Sequence, residues 1–268
     1  MALPLPWRIM VPIVAVAVAI GISSFDAAFP GHYLRQLIIG ASHPWPSSPA
    51  FHVFSQDPVV VYIENLITPA EAAHLVKQAE GRFATSPMWD NEGKPHVDKA
   101  YRRSTTARLG TAAEDDVVRA IEARARALPF YKPVGSFMPM VVQNYEVAGL
   151  YRDHYDWFDD RHAVGGNIAS TFFVYILANC TGGGTNFARL TPPDSDSRWC
   201  EWIDCDRPLD EGVTFKPILG NAVYWENLEA DGRTLSDRGH QRTLHAGMTV
   251  TSGNKLGLNL WTWKPAHD

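Results

Sequence analysis

The feature that most constrains the fold of this 268-residue chain is a close series of strand patterns in its second half. From Met138 onward, β-branched and aromatic residues form short runs between turn residues, and few helical patterns intervene. The predicted strands lie near residues 138–147, 151–157, 169–178, 213–216, 221–227, 242–249 and 256–263. Many short strands that follow a pair of helices predict a mainly β (α+β) fold, a jelly-roll barrel with N-terminal helices packed on one sheet.

Two helices are predicted before these strands. Residues 59–63 are a β-branched run and predict the first strand. Residues 68–71 (Thr-Pro-Ala-Glu) combine a capping box with proline at the first helical position, and this predicts a helix that stops at Gly81. Residues 111–114 (Thr-Ala-Ala-Glu) predict a second helix, which ends near Leu128 and packs one apolar face on a sheet.

The N-terminal segment differs in composition from the rest of the chain. Arg8 is followed by residues 9–25, which carry no charge and have about the minimum length of a membrane helix. This predicts a signal anchor over residues 1–30, with the main domain in the lumen of the endoplasmic reticulum. A cleaved signal peptide, which would give a secreted protein, is the alternative. Residues 31–57, rich in proline and serine, predict a stalk before a domain at residues 58–268.

Charge and cysteine content limit the partners and the compartment. The net charge of −5 and the lack of a basic run argue against a nucleic-acid partner. In an oxidising lumen Cys200 and Cys205 could form a disulfide, with Cys180 left over or paired instead, and three unpaired thiols are an equal alternative. The spacing of the three cysteines does not fit a structural zinc site.

The pair His154 and Asp156 points to metal chemistry. The residues around it favour a strand, on which side chains two apart point to the same face, so the imidazole and the carboxylate can reach one ion. Two histidines and one carboxylate on one triangular face suit Fe(II) and leave positions for substrate and oxygen. The pair alone is weak evidence because it occurs by chance. The C-terminal stretch adds a candidate third ligand, His245.

Three C-terminal stretches, taken with this pair, resemble the catalytic domain of the prolyl 4-hydroxylase family. They are residues 220–227 (Gly-Asn-Ala-Val-Tyr-Trp-Glu-Asn), residues 243–255, which include Leu-His-Ala-Gly, and residues 259–264. Family members are 2-oxoglutarate and Fe(II)-dependent dioxygenases built on a double-stranded β-helix. The resemblance covers about residues 59–264. It implies hydroxylation of a C–H bond with O2 and 2-oxoglutarate, and release of succinate and carbon dioxide.

The resemblance also implies roles for individual residues. His154, Asp156 and His245 would be the Fe(II) ligands. Lys255, ten positions after His245, would bind the distal carboxylate of 2-oxoglutarate, because a buried carboxylate needs a cation or several donors. The other residues implied at the co-substrate are Tyr145, Thr185 and Trp261. The same resemblance also implies ascorbate as a further cofactor.

Two positions depart from the family pattern. Gly184 stands where the family has glutamate, within Gly-Gly-Glu-Thr. Ile168 stands where the family has an arginine that acts on the peptide substrate, and Arg102, Arg103 or Arg152 could substitute for it. The expected substrate is therefore either a peptide or a small molecule, such as a secondary metabolite or a free amino acid.

Three other functions compete with the hydroxylase. A radical halogenase would need an open metal position where Asp156 stands, so the carboxylate argues against it. A non-catalytic, membrane-tethered binding barrel would be expected to have lost a metal ligand or Lys255, and neither is lost. A membrane-tethered adaptor would use the polar loops at residues 85–99 and 192–212.

Overall fold

The computed structural model describes residues 49–90, 92–192 and 197–266. The predicted signal anchor and most of the predicted stalk lie outside these ranges. Within them, no helix combines the length and the apolar character that crossing a membrane requires.

The described residues contain eighteen strands and three α-helices, labelled in chain order. The strands are β1 (Ala50–Gln56), β2 (Val59–Glu64), β3 (Ala84–Thr85), β4 (Met88–Trp89), β5 (Pro95–His96), β6 (Arg102–Arg103), β7 (Thr105–Arg108), β8 (Ser136–Phe137), β9 (Val141–Tyr145), β10 (Leu150–His154), β11 (Gly166–Gly182), β12 (Thr185–Phe187), β13 (Val213–Phe215), β14 (Ala222–Glu226), β15 (Leu228–Asp231), β16 (Thr234–Gly239), β17 (His245–Gly247) and β18 (Val250–Pro265). The helices are α1 (Pro69–Ala79), α2 (Asp116–Arg126) and α3 (Arg161–Val164).

Two antiparallel sheets form the body of the domain. The major sheet has nine strands in the order β1-β2-β14-β11-β18-β9-β7-β3, with β8 paired to β18. The minor sheet has five strands in the order β13-β12-β17-β10-β6. Two separate hairpins, β4–β5 and β15–β16, complete the described strands. This mainly antiparallel arrangement confirms the predicted double-stranded β-helix.

The strand β18 shows how the two faces of the major sheet are used. Leu256, Leu258 and Leu260 are fully buried on its outer face, in one apolar cluster with the buried residues of α1 and α2. Lys255 and Asn259 alternate with them and point to the inner face, as the period of two in a strand requires. The predicted packing of the N-terminal helices on one sheet is therefore confirmed.

A second apolar cluster fills the space between the sheets. It is rich in aromatic side chains, which bury large areas. Its fully buried aromatic members are Tyr62, Tyr175, Phe187, Phe215 and Trp225.

The helix ends follow the capping rules, with one correction. Thr68 caps α1 with the predicted capping box. The predicted start of α2 is wrong, because Asp115 rather than Thr111 is its N-cap. The Asp115 carboxylate accepts from the backbone N–H groups of residues 117 and 118, while the N–H of Thr111 donates to the Glu114 side chain in a preceding turn.

The stalk boundary also needs correction. Residues 50–56 form β1, the edge strand of the major sheet, paired with β2. These residues include Phe51, Val53 and Phe54, and aromatic and β-branched side chains favour a strand. The proline- and serine-rich composition therefore describes the chain only up to about residue 49.

The cysteine alternatives are resolved by the structure. Cys200 and Cys205 form a disulfide, and Cys180 is free. The disulfide closes a short turn next to the five-stranded sheet, where the backbone N–H of Asp204 donates to the carbonyl of Thr214.

Candidate active site

The structure brings the three candidate metal ligands together at one end of the barrel. His154 ends β10 and His245 begins β17, and the two residues are direct partners in the minor sheet. Asp156 follows two residues after His154. One ligand atom from each residue lies within 4.8 Å of the others. Asp156 Oδ1 is 3.9 Å from the Nε2 atom of each histidine.

Backbone carbonyls orient both imidazoles. His154 Nδ1 is 2.8 Å from the carbonyl oxygen of Arg152, and His245 Nδ1 is 2.9 Å from that of Thr243. A carbonyl oxygen can only accept, so each Nδ1 carries a proton and each Nε2 offers its lone pair towards Asp156. Burial, reinforced by the neighbouring His245, holds the pKa of His154 well below its usual value. The neutral ring is the form that binds metals.

The carboxylate of Asp156 has two unequal oxygens. Oδ2 accepts a hydrogen bond from Thr171 Oγ1 at 2.7 Å and another from Trp261 Nε1 at 3.1 Å. Oδ1 faces the two histidines. The structure thus places Trp261 beside the candidate metal ligand, as well as on the cavity wall.

Lys255 is a buried cation without a counter-ion among the described residues. Its side chain is fully buried, and Nζ donates to the carbonyl oxygen of Gly183 at 2.6 Å. Loss of solvation lowers the pKa of Lys255 to about 8. A buried charge is costly unless it is paired, so this position suits an anionic ligand.

Tyr145 and Thr185 lie in the same region. Tyr145 pairs with Lys255 across β9 and β18, and its hydroxyl donates to Gln143 Oε1 at 2.6 Å. Thr185, on β12, accepts from the hydroxyl of Tyr175 at 2.9 Å. Both Tyr145 and Thr185 line the cavity described below.

The departure at Gly184 has a steric reason. A Cβ atom at this position would lie 2.5 Å from Thr214 Cγ2 and 2.9 Å from the backbone oxygen of Phe215. Real Cβ atoms avoid contacts this short, so the register of β12 against β13 leaves no room for a side chain here.

A cavity of about 730 Å³ contains the candidate ligands and opens to solvent. Its wall is rich in aromatic side chains, including two on or near the β4–β5 hairpin. Trp89 is 48% exposed and Tyr101 is 36% exposed at this mouth. The other aromatic lining residues include Tyr151, Tyr155, Trp157, Phe158 and Trp263.

Of the three candidate arginines, Arg102 lines the cavity. Its guanidinium lies 4.3 Å from the centroid of the Tyr151 ring, and one of its nitrogens donates to the carbonyl of Pro87 at 2.8 Å. Arg103 and Arg152 are exposed and do not line the cavity. Ile168, at the position of the family arginine, is buried in the cavity wall.

Sequence reasoning missed two residues that support the site. Thr171 contacts Asp156 directly, and Asn227 donates to the Thr171 hydroxyl at 2.8 Å. The available signal was a pair of polar residues, Ser170 and Thr171, before an apolar run of the strand, and an asparagine after the Ala222–Glu226 strand. Neither signal predicts which residue the side chain contacts, because that depends on the order of the strands in the sheet.

A triad of two histidines and one carboxylate inside a double-stranded β-helix, with a buried lysine nearby, defines the class of non-haem iron, 2-oxoglutarate-dependent dioxygenases. The residues fit both groups: nitrogen and carboxylate donors suit Fe(II), and the unpaired buried cation suits a dicarboxylate.

Comparison with known proteins shows which dioxygenases this chain is similar to. No protein-family model matches the chain. Probable prolyl 4-hydroxylase 7 of Arabidopsis thaliana is 27% identical over 209 residues, which cover 77% of this chain and 63% of that protein. Prolyl 4-hydroxylase 5 of the same plant is 28% identical over 211 residues, which cover 78% of this chain and 69% of that protein.

A solved structure agrees with the fold. The viral collagen prolyl hydroxylase of Paramecium Bursaria Chlorella virus-1, in its 2-oxoglutarate complex, superposes with a TM-score of 0.55 at 22% identity, covering 76% of this chain and 95% of that one. The chain is thus similar in sequence to plant prolyl 4-hydroxylases over about three quarters of its length, and it shares the fold of the viral enzyme.

Proposed function

We propose that this chain hydroxylates a C–H bond of a proline-containing peptide, using O2 and 2-oxoglutarate and releasing succinate and carbon dioxide. The observation that carries the proposal is one cavity lined both by the three candidate metal ligands and by Tyr145, the strand partner of Lys255. Among the described residues, the buried Lys255 has no anionic partner. The similarity to plant prolyl 4-hydroxylases supports a prolyl target.

His154 Nε2, His245 Nε2 and Asp156 Oδ1 would hold Fe(II). When bound, the iron supplies the activation of oxygen that the reaction requires. The three protein ligand atoms leave the remaining positions free for co-substrate and oxygen. The two Nδ1–H···O=C hydrogen bonds fix the rings, so the ligand atoms are already oriented before the metal arrives.

Lys255 would bind the distal carboxylate of 2-oxoglutarate. A charge-assisted hydrogen bond there replaces the solvation that the lysine lost on burial. Tyr145, on the strand β9 that pairs with β18, and Thr185, on β12 of the minor sheet, would add hydroxyl groups to this site. Trp261 acts on the same site through its hydrogen bond to Asp156.

The barrel itself keeps water from the reacting groups. Phe187 and Trp225 are buried, and their ring centroids lie 5.6 and 4.8 Å from that of His245. A cavity wall that excludes water strengthens the electrostatic interactions inside the site and limits side reactions.

The cavity mouth supports a peptide as substrate. Exposed Trp89 and Tyr101 present aromatic surface beside the opening, and proline-rich segments dock in aromatic-lined grooves. The non-catalytic alternative predicts a lost ligand or lysine, and the described residues retain all of them.

The decisive experiment incubates the full-length chain with Fe(II), 2-oxoglutarate, O2 and proline-rich peptides. Succinate should form, and peptide mass should increase by one oxygen atom, located by fragmentation on a proline. His245→Ala should abolish both signals. His74→Ala is the matched control, because His74 pairs with Asp115 at the helix layer. Succinate without peptide oxidation would redirect the proposal to another substrate, and no succinate with any peptide or small metabolite would refute it.

We also propose that the domain works in an oxidising compartment, which for this chain is the lumen of the endoplasmic reticulum. The Cys200–Cys205 disulfide supports this, because disulfides persist in oxidising environments. Attachment to the membrane through residues 1–30 stays a prediction from the sequence. Fractionation of cells that express the full chain, with protease protection of residues 49–266, tests both statements.

A further inference from the structure

A series of buried hydrogen bonds ends on the carboxylate of Asp156. Trp225 Nε1 donates to Asn227 Oδ1 at 2.7 Å, and Asn227 Nδ2 donates to Thr171 Oγ1 at 2.8 Å. The Thr171 hydroxyl then donates to Asp156 Oδ2 at 2.7 Å. Trp225, Asn227 and Thr171 are at most 1% exposed, so water does not compete for these bonds.

The direction of every bond in this series is fixed by its two ends. An indole N–H can only donate, so the amide oxygen of Asn227 must face Trp225 and its NH2 group must face Thr171. The Thr171 hydroxyl accepts from Asn227 and directs its own proton to Asp156, whose ionised carboxylate can only accept. Trp225 thereby determines which way the Asn227 amide points.

The sheet holds these groups in register. Thr171 on β11 is the direct partner of Trp225 on β14 and of Trp261 on β18. The three side chains therefore form one row across the inner face of the major sheet. Both outer members act on the site, Trp225 through Asn227 and Trp261 through its own hydrogen bond to Asp156 Oδ2. Groups on paired strands are held more rigidly than groups on loops.

From this geometry we infer that Thr171, oriented by Asn227 and Trp225, is a positioning residue that keeps Asp156 a one-oxygen metal ligand. This inference rests on the proposed function. Oδ2 is engaged by two donors, and Oδ1 alone faces both histidine Nε2 atoms at 3.9 Å. If Oδ2 also turned to the metal, it would occupy a position that the co-substrate or oxygen needs.

Replacement of the hydroxyl tests the inference in the full-length chain. Thr171→Val keeps the β-branched shape and removes the donor, and Thr171→Ser keeps the donor. Thr262→Val is the matched control, since Thr262 is a fully buried strand threonine whose hydroxyl bonds Tyr131 and Ser170 instead. The readouts are the dissociation constant for Mn(II), the absorption spectrum of the Co(II)-loaded protein, and the unfolding temperature without metal.

Loss of a side chain that hydrogen-bonds to a metal ligand weakens metal binding by about 10- to 100-fold. We expect that loss, and a changed Co(II) spectrum, for Thr171→Val, with wild-type behaviour restored in Thr171→Ser. Thr262→Val should lower the unfolding temperature but leave Mn(II) affinity and the Co(II) spectrum unchanged. Asn227→Asp, which keeps the shape but cannot donate to Thr171, should reproduce part of the Thr171→Val effect.

The outcomes separate this inference from the proposed function. If the wild-type chain binds neither Mn(II) nor Co(II), the proposed metal site is wrong and the inference is wrong with it. If the wild type binds both ions and Thr171→Val binds them with the same affinity and spectrum, only the positioning role is wrong. If Thr171→Ser fails to restore binding, the hydroxyl is not the group that matters, and the inference is again wrong.

Discussion

Lys255 and Tyr145 face each other across β18 and β9, and the lysine Nζ lies 4.4 Å from the centroid of the tyrosine ring. The ring face attracts the cation, and the Gly183 carbonyl accepts one of its protons. Neither contact carries a negative charge. A second ring, that of Phe173, lies 5.5 Å from the same nitrogen and is also uncharged. A fully buried ammonium group with no anionic partner among the described residues suits an anionic ligand.

Removal of this cation should selectively weaken the binding of the co-substrate. Loss of one partner of a buried pair costs about 3–5 kcal/mol, so Lys255→Ala should raise the KM for 2-oxoglutarate at least about a hundredfold. Metal affinity should stay near wild type, because the lysine is not a ligand. Lys216→Ala is the control, since Lys216 also donates to a backbone carbonyl, that of Cys200, outside the cavity lining. Equal KM values in wild type and Lys255→Ala would contradict the assignment.

The pH dependence of co-substrate binding gives a second prediction. Burial lowers the pKa of Lys255 to about 8 in the ligand-free protein, so the group is charged below that pH and loses its charge above it. The dissociation constant for 2-oxoglutarate should therefore rise by up to about tenfold per pH unit above pH 8. Titration of binding in wild type and Lys255→Met measures this, because the variant should bind weakly with no such slope.

Rising pH, which should weaken co-substrate binding at this lysine, should instead increase the stability of the ligand-free protein. Its folded pKa of about 8 lies below the ordinary value of 10.5, so the unfolded chain binds more protons between these values. The lysine's contribution to the free energy of unfolding must then rise with pH over this window. Denaturant titrations of wild type minus Lys255→Met should show this rise, and a fall would refute the shift.

Strand alternation made the place of Lys255 predictable from the sequence. Leu256, Leu258 and Leu260 had to share one face, and the lysine had to share the other, whatever the rest of the fold. The start of α2 was not predictable in the same way, because Thr111 and Asp115 both offer capping oxygens, and tertiary contacts decide between them. His74 bonds Asp115, and no local pattern reveals that contact.

The hydrogen bonds that hold the Asp156 carboxylate could not be predicted from the sequence. Thr171 and Trp261 reach its carboxylate only because β11 and β18 are neighbours in the major sheet. Sheet order depends on pairing between residues about ninety positions apart, and a single sequence carries no direct signal for such pairing. The metal ligands were easier to find, because two of them lie only two residues apart in the sequence, His154 at the end of β10 and Asp156 just after it.

The three candidate ligands should be needed for metal binding to a similar degree. In each of His154→Ala, Asp156→Ala and His245→Ala, two ligand atoms remain, and such a site is weak. Isothermal titration with Mn(II) should show loss of most binding in all three, with His74→Ala at wild-type affinity. Wild-type Mn(II) affinity and turnover in His245→Ala would show that the third ligand has been assigned wrongly.

The N-terminal boundary of the domain can be tested by two deletions. A chain that lacks residues 1–48 keeps all of β1, and we expect a soluble protein with unchanged metal affinity. A chain that lacks residues 1–57 also loses β1, which covers one edge of β2 and packs Phe51 on Phe130. That deletion should lower the unfolding temperature and promote aggregation through the exposed edge. If the shorter deletion aggregates while the full chain is well behaved in detergent, residues 1–48 pack on the domain.

Arg102 and Arg103 provide the last prediction, because these neighbours on β6 differ in exposure and only Arg102 lines the cavity. The guanidinium of Arg102 lies over the ring of Tyr151, and Tyr151 in turn stacks on His154 with ring centroids 3.5 Å apart. Removal of the guanidinium takes a cation from the cavity wall and loosens this stack.

Arg102→Ala should therefore raise the KM for a peptide substrate about tenfold or more, as expected for the loss of about 1.4 kcal/mol of binding free energy. Turnover of 2-oxoglutarate in the absence of peptide should be retained. Arg103→Ala should stay within about twofold, since surface substitutions usually change free energies by less than about 0.5 kcal/mol. A larger effect from Arg103→Ala than from Arg102→Ala would mean that the peptide runs over the outer face of β6 rather than into the cavity.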